Sequence, residues 1–437
     1  MTLERFLHFA SVDGAALLAA TLSALVCGML GNWLVLRRTS LMGDAISHSV
    51  LPGIVGAFLV TGTRAPVPMF VGAIIAALLT VAVTQAVRRL ARVDMGAAMG
   101  VTFASFFAFG VLLIEQASAR QVDLDPDCVL YGSLETLFWF PPANPRDWLS
   151  LSTLALLPTP VKTLLVVTVV SAIVLRLLRK ELALASFDAP LAAALGFRPA
   201  LLGAILMTLT AAATIASFEA VGSILVVAML VCPAAAARLW TDRLRTQTRL
   251  SAAFAVLSAI LGYLLAATAP RWLGTTHALG AAGTMATTAG AILTISIVAG
   301  PTHGLVARVL RRRELALRVA REDALGALFR MLESGTDRAS EQLLVAAVGP
   351  RGIAEARRRG EIETANGLVR LTPTGVAEAQ AIIRSHRLWE TYLVEEAGLA
   401  ADHVHESAER LEHVREVAPE VPRALDPQGK PIPKPTS

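Results

Sequence analysis

Uninterrupted apolar stretches of about 20 residues recur from residue 12 to residue 300, each long enough to cross roughly 30 Å of hydrocarbon. This recurrence makes the chain a polytopic membrane protein before any other feature is read. Nine segments qualify, and a bundle of about 8–9 transmembrane helices is expected: 12–36, 41–61, 67–88, 94–116, 161–179, 199–218, 220–238, 249–268 and 279–300. The tract 199–238 is divided near Glu219 and Gly222, because a helix of that whole length would be about twice too long. Composition agrees, with 54% apolar residues and a mean hydropathy of +0.59.

Arginine sets the orientation. Arg37 and Arg38, "RRLAR" (88–92), "RLLRK" (176–180), "RLWTDRLRTQTR" (238–249) and "RVLRRRELALR" (308–318) fall on one side of successive hairpins. By the positive-inside rule that side is cytoplasmic. The expected N-terminus is then outside, and everything after residue 300 is inside, at the plasma (inner) membrane. These loops also explain a net charge of +5 and a pI near 9.5 without any nucleic-acid partner. Cys27, Cys128 and Cys232 are far apart and form no CxxC, so no disulfide framework or zinc knuckle follows. "MTLERFLHFASVDG" lacks a basic n-region and a small-residue cleavage site, and no removable signal peptide is read. The outer segment 117–160, with "DLDPDCVLYGSLETLFWFPP", suits an interfacial or re-entrant piece.

Two polar groups sit where apolar residues are expected. In "LMGDAISHSVLPG" (41–53), Asp44 and His48 are four residues apart and share a helix face. A charged residue at a helix centre costs about 2.5–3.5 kcal/mol on insertion scales, so such a residue is a functional candidate. One carboxylate plus one imidazole begins a first-row divalent metal site, and two chains around a pore would supply two of each. A structural Asp–His hydrogen bond between packed helices would use the same spacing. Glu115, Glu219, His277 and His303 lie at span edges and are weaker candidates. The short segment 181–198, between two spans, reads either as an inert connector or as a helix that docks a separate motor.

"LGNWLVLRRTSLMGDAISHSVLPGIVGAFL" (30–59), "SFDAPLAAALGFRP" (186–199) and "FEAVGSILVVAMLVCPAAAARL" (218–239) closely resemble segments of the zinc/manganese/iron ABC transporter permeases. The resemblance covers residues 1 to about 305. It implies a pore of two permease subunits, either a homodimer or a heterodimer. A separate ABC ATPase pair drives it, and an extracellular metal-binding protein delivers the ion. It further implies that Asp44 and His48 line the metal path and that 186–199 is the coupling helix. The last span departs from the family's usual proline-led start. No GxxxxGK[ST] occurs anywhere, so the chain binds no nucleotide of its own and is not an enzyme; the motor is a partner.

From about residue 313 charged helices replace apolar runs. The expected domains are a permease, 1–312, a cytosolic domain, 313–425, and a disordered Pro-rich tail, 426–437. "GEIETANGLVRLTPTG" (360–375) reads as a hairpin around Ala365–Asn366–Gly367, preceded by a helical pattern and followed by a helix, which is a winged-helix order. Downstream, His386/Glu390, Glu409/His413 and Glu409/Glu412 are helix-face pairs, with His405 nearby. Such a set suits Mn²⁺, Fe²⁺ or Zn²⁺, and it equally suits a solvated helix rich in Glu and His.

The stretch "LTPTGVAEAQAIIRSHRLWETYLVEEAGLAADHVHESAERLEHV" resembles the metal-binding and dimerisation region of the iron- and manganese-dependent repressors, a likeness that spans about 320–416. That resemblance implies one metal site at His386, Glu390 and His405 and another at Glu409, Glu412 and His413. Asp323 in "REDALGALF" matches an acidic ligand, and Gly326 stands where a second acid is usual. The helical segments before the hairpin are several residues short of the usual recognition unit, and the SH3-like third domain is absent. Arg351, Arg357, Arg358 and Arg359 are the possible phosphate or lipid contacts.

The leading expectation is a divalent-metal permease subunit with a cytosolic metal-sensing domain. The divalent metal serves as substrate and as regulatory ligand. A membrane-anchored, metal-dependent transcriptional regulator is the alternative. Carboxylate plus histidine does not select among the three ions.

Overall fold

The computed structural model describes residues 13–37, 39, 42–63, 66–118, 134–139, 156–274, 279–336 and 338–395. The chain divides into two compact units, Met1–Ala307 and Arg308–Ser437.

The first unit is entirely helical among its described residues. In chain order the helices are α1 (Gly14–Leu36), α2 (Met42–Ser49), α3 (Leu51–Thr61), α4 (Pro66–Ala91), α5 (Met95–Ser118), α6 (Thr159–Leu177), α7 (Arg179–Phe187), α8 (Ala189–Ala194), α9 (Pro199–Val221), α10 (Ser223–Trp240), α11 (Leu244–Leu273) and α12 (Ala281–Ala299). Eight of them are long and apolar enough to cross a membrane: α1, α4, α5, α6, α9, α10, α11 and α12. The expected span 41–61 is divided at Val50 into α2 and α3, although Val50 itself keeps a helical backbone and its N–H still donates to the Ile46 carbonyl. Pro52 supplies the reason. It has no N–H for the carbonyl of His48, and its ring crowds that carbonyl. The 199–238 tract is divided at Gly222, whose φ of 77° and ψ of 166° are open to glycine at little cost.

Helix α1 is the hub of this unit. It packs against α6, α9, α10 and α11, burying Leu30, Trp33 and Leu34. Between helices in hydrocarbon there is little hydrophobic driving force, so close backbone approach carries the packing. Gly31 illustrates the approach to α10: a Cβ there would lie 1.9 Å from the Leu230 carbonyl oxygen. The α3–α4 contact repeats the device with Gly53 and Gly72 facing one another.

In the second unit, α13 (Leu305–Glu333) begins within the first unit and runs through the expected 312/313 boundary. Then come β1 (Ala339–Ser340), α14 (Glu341–Val348), α15 (Pro350–Arg358), β2 (Ile362–Ala365), β3 (Leu368–Leu371) and α16 (Pro373–Glu395). The antiparallel sheet has the order β1-β3-β2, with Thr364 opposite Val369 and Ala339 opposite Val369. Asn366 and Gly367 both take positive φ, 52° and 74°, as a two-residue hairpin turn of this hand requires. Leu325, Leu328, Phe329, Ile353, Ile362, Val369, Ile382 and Ile383 form the core. Helix, helix and hairpin around that core make a small winged-helix-like body.

Candidate functional site

Asp44 and His48 lie on α2, a helix of two turns set between α1 and α3. Their side chains are outside the described residues. The helix that carries them packs against α4, α5, α9 and α10, and Met42, Gly43, Ala45, Ile46 and Ser49 on it are buried. A Cβ on Gly43 would lie 2.5 Å from Leu230 Cδ1, so the helix is seated tightly on α10. The Ser49 hydroxyl donates to the Ala45 carbonyl, and the Pro52 break leaves the His48 carbonyl without its helical donor. The motif therefore occupies a short buried helix that ends one turn before a proline.

A polar seam escaped the sequence reading. Ser23, Cys27, Ser171, Thr214 and Ser217 are fully buried on α1, α6 and α9, three helices that pack on one another. Cys27 Sγ lies 4.0 Å from Ser217 Oγ, while the hydroxyls of Ser171 and Thr214 have no hydrogen-bond partner. The spacing Ser23/Cys27 and Thr210/Thr214/Ser217 was the available signal: it puts small polar groups on one face of otherwise apolar helices. Asn32 donates to Thr248 Oγ1 at 3.0 Å, joining α1 to α11. Of the span-edge candidates, Glu115 and Glu219 are exposed, and His303 pairs with Asp242 at 2.8 Å. That hydrogen bond holds the Asp242 carboxyl below its usual range. His277 is outside the described residues.

The connector 181–198 is two short helices, α7 and α8, rather than one. The Asp188 carboxylate caps α8 by accepting from the Leu191 N–H at 2.9 Å, and it ends α7 at the same point. Large apolar side chains face outward here, with Phe187 72% exposed, joined by Leu191, Leu195 and Phe197. Arg37, at the end of α1 and seven residues before Asp44, donates from Nε to Ser186 Oγ at 3.0 Å. A Cβ on Gly203 would sit 3.2 Å from the same guanidinium, so Arg37 is wedged between α7 and α9.

In the second unit His386 and Glu390 are brought together, with Nε2 3.0 Å from Oε1 and the histidine 5% exposed. Asp323 does not join them, and among the described residues no three such ligands form a group that could hold a metal ion. Helices α13 and α16 run in parallel: Arg321 pairs with Glu378 and Glu333 with Arg387. Gly326 faces Ile383, three residues before His386. His405, Glu409, Glu412 and His413 are outside the described residues. Of the four arginines read as possible phosphate or lipid contacts, Arg357 is paired with Glu341. Arg358 and Arg359 both bond Glu355, at 2.9 and 2.8 Å, and hold its carboxyl below the ordinary value. Arg351 is exposed. Three of the four charges are thus already answered on the domain's own surface.

Comparison with known proteins places both units. Residues 13–138 and 148–285 match the ABC 3 transport family. Residues 372–434 match the iron dependent repressor, metal binding and dimerisation domain, a stretch that reaches into the segment read as a tail. The manganese transport system membrane protein MntD of Bacillus subtilis is 38% identical over 285 residues, covering 65% of this chain and 91% of its own length. The zinc transport system membrane protein TroD of Treponema pallidum is 34% identical over 377 residues, 83% of this chain and 97% of that protein, so its alignment extends beyond the first unit. Among solved structures, PsaBC from Streptococcus pneumoniae in complex with Fab aligns with a TM-score of 0.54 at 27% identity, covering 69% of this chain and 98% of that one. The chain is a multi-pass membrane protein that belongs to the ABC 3 transport family and carries an iron-dependent-repressor-type metal-binding and dimerisation domain at its C-terminal end.

Proposed function

We propose that this chain is the permease subunit of an ATP-driven importer for Mn²⁺, Zn²⁺ or Fe²⁺, with residues from Arg308 onward serving as a cytosolic metal-sensing regulator. The observation that carries the reading is the Asp44/His48 pair on a short, buried, proline-terminated helix within a chain of the ABC 3 family. A carboxylate and an imidazole exchange easily for part of a hydration shell. Few protein ligands per subunit keep the site weak enough to release its ion. Two permease subunits, alike or different, supply both sides of the pore. A separate ABC ATPase pair hydrolyses ATP, and an extracellular metal-binding protein delivers the ion. The N-terminus is outside and the second unit inside.

Coupling runs through Arg37. Outward-facing Phe187 docks the ATPase, and its neighbour Ser186 holds Arg37, which leads into the turn before α2. Arg37→Met is expected to raise the ATP hydrolysed per ion moved by about 2- to 30-fold, the range for a coupling contact remote from both sites. Arg37→Lys, which keeps a donor for Ser186, restores part of the coupling. Parallel assays of hydrolysis and uptake read this ratio; an unchanged ratio removes Arg37 from the coupling route.

The second unit senses the transported metal through His386, Glu390 and His405 and through Glu409, Glu412 and His413, with Asp323 as an added acid. Filled sites dimerise these domains and hold the pore closed, which is feedback inhibition. Uptake into proteoliposomes containing the full transporter, with and without residues 313–437, tests both parts. Uptake of one of the three metals establishes the permease; loss of inhibition by internal metal on truncation establishes the sensor.

A further inference from the structure

The first 14 residues of α13 are strongly exposed. From Leu305 to Arg318 every residue is exposed except Ala307, which is half-buried. Leu305, Val306, Val309, Leu310, Leu315 and Leu317 are among the exposed large apolar side chains, Leu310 at 57%. Five arginines, Arg308, Arg311, Arg312, Arg313 and Arg318, accompany them against one acid, Glu314. At about 100° per residue, Leu305, Val306, Val309, Leu310 and Leu317 fall within an arc of roughly 140°, and Arg308, Arg311, Arg312 and Arg318 fall in the arc beside it. Arg313 and Leu315 lie on the opposite arcs, so the division is strong but incomplete.

The start of this helix is fixed at the level of two span ends. Ala299 closes α12 six residues earlier. The backbone N–H groups of Thr302 and His303 both donate to the Leu239 carbonyl, and Thr302 Oγ1 donates to that of Trp240. His303 pairs with Asp242, and the Trp240 indole donates to Ser296. Leu305 therefore emerges where α10 and α12 leave the apolar layer. With a rise of 1.5 Å per residue, Arg312 is within about 11 Å of that point whatever the helix direction. This distance is comparable with the screening length of about 10 Å at physiological salt.

We propose that residues 305–318 are a lipid-docking stretch that lays its apolar arc on the membrane interface and binds anionic headgroups through Arg308, Arg312 and Arg318. A basic amphipathic helix with this division is attracted by both terms, apolar burial and headgroup charge. A second copy of this chain is a poor occupant, because it would bring ten arginines together against two acids. The inference needs only the membrane insertion already established, and a disc with the same lipid in both leaflets makes its test independent of orientation and of the transport reading.

The test is hydrogen–deuterium exchange of the full chain in nanodiscs of phosphatidylcholine alone or mixed with phosphatidylglycerol. Amides of 305–318 are expected to exchange about tenfold more slowly in the anionic discs, as an attraction of about one arginine or more would give. The difference should vanish at high salt and in the variant Arg308→Gln/Arg312→Gln/Arg318→Gln. Equal exchange in both lipids overturns the proposal. So does slowing that depends only on two copies sharing a disc, or only on added ATPase, since either names a different occupant.

Discussion

Arg321→Ala is expected to destabilise the second unit by about 3–5 kcal/mol, the cost of removing one partner from a buried ionic cluster. The Arg321 guanidinium, 5% exposed, bonds Glu361 at 2.8 Å, Glu378 at 3.2 Å and Glu322 at 3.4 Å. Glu322 and Glu361 are buried as well, and Glu361 Oε2 has no hydrogen-bond partner. Arg321 thus ties together carboxylates from α13, the residue before β2 and the first turns of α16. Without it, buried carboxylates lose a directly bonded cation, and a domain of this size has about 5–15 kcal/mol in total. Local exchange rates of the second unit in the full chain measure the loss. A change under about 1 kcal/mol would show that the three glutamates redistribute into water. The cluster also sets a pH dependence. Burial raises the Glu361 carboxyl above its ordinary value, so the folded domain binds this proton more tightly than the unfolded chain. The stability tied to that proton is complete below the ordinary glutamate value and is lost as pH rises through the raised one.

Gly53→Ala and Gly72→Ala are each expected to cost about 1–3 kcal/mol, the range for overpacking a close-fitted interface. A Cβ at Gly53 would lie 2.2 Å from the Gly72 carbonyl oxygen, and one at Gly72 would lie 2.3 Å from that of Gly53. Neither obstacle is a flexible side chain, so the helices α3 and α4 must separate. Because α2 also packs on α4, the shift reaches the helix that carries Asp44 and His48. Thermal unfolding of the solubilised variants measures the cost, and the nearby Gly56→Ala, where a Cβ meets nothing within 4 Å, is the control. Equal melting of all three variants would remove the Gly53–Gly72 contact as a structural determinant.

Much of this was legible in the sequence because hydrocarbon permits so few solutions. Apolar length located the spans, and glycine at 222 located the turn in the longest tract. The break at Val50 was less visible: hydropathy treats 41–61 as continuous, although Pro52 was there to announce a lost donor. The turn at Asn366–Gly367 was legible from the dipeptide alone, since both positions need positive φ. By contrast, the hydroxyl seam on α1, α6 and α9 was hidden, because Ser and Thr in an apolar run have little effect on hydropathy. Arginines told less than their number promised. Arg357, Arg358 and Arg359 read as a phosphate or lipid patch or as a solvated face, and in the fold Glu341 and Glu355 face them, a pairing across α14 and α15 in the first case. The metal-ligand set was legible by resemblance alone, and of it the fold brings His386 and Glu390 together.

The central claim is that Asp44 and His48 pass a divalent metal through the membrane unit. Its most direct test is ATP-driven accumulation of Mn²⁺, Zn²⁺ and Fe²⁺ by the reconstituted transporter, comparing the native chain with Asp44→Ala, His48→Ala and the double variant. Accumulation of one metal that falls to background in the double variant, with folding and ATPase binding retained, is the predicted result. Native-level accumulation in the double variant would contradict the account and leave the pair a structural hydrogen bond.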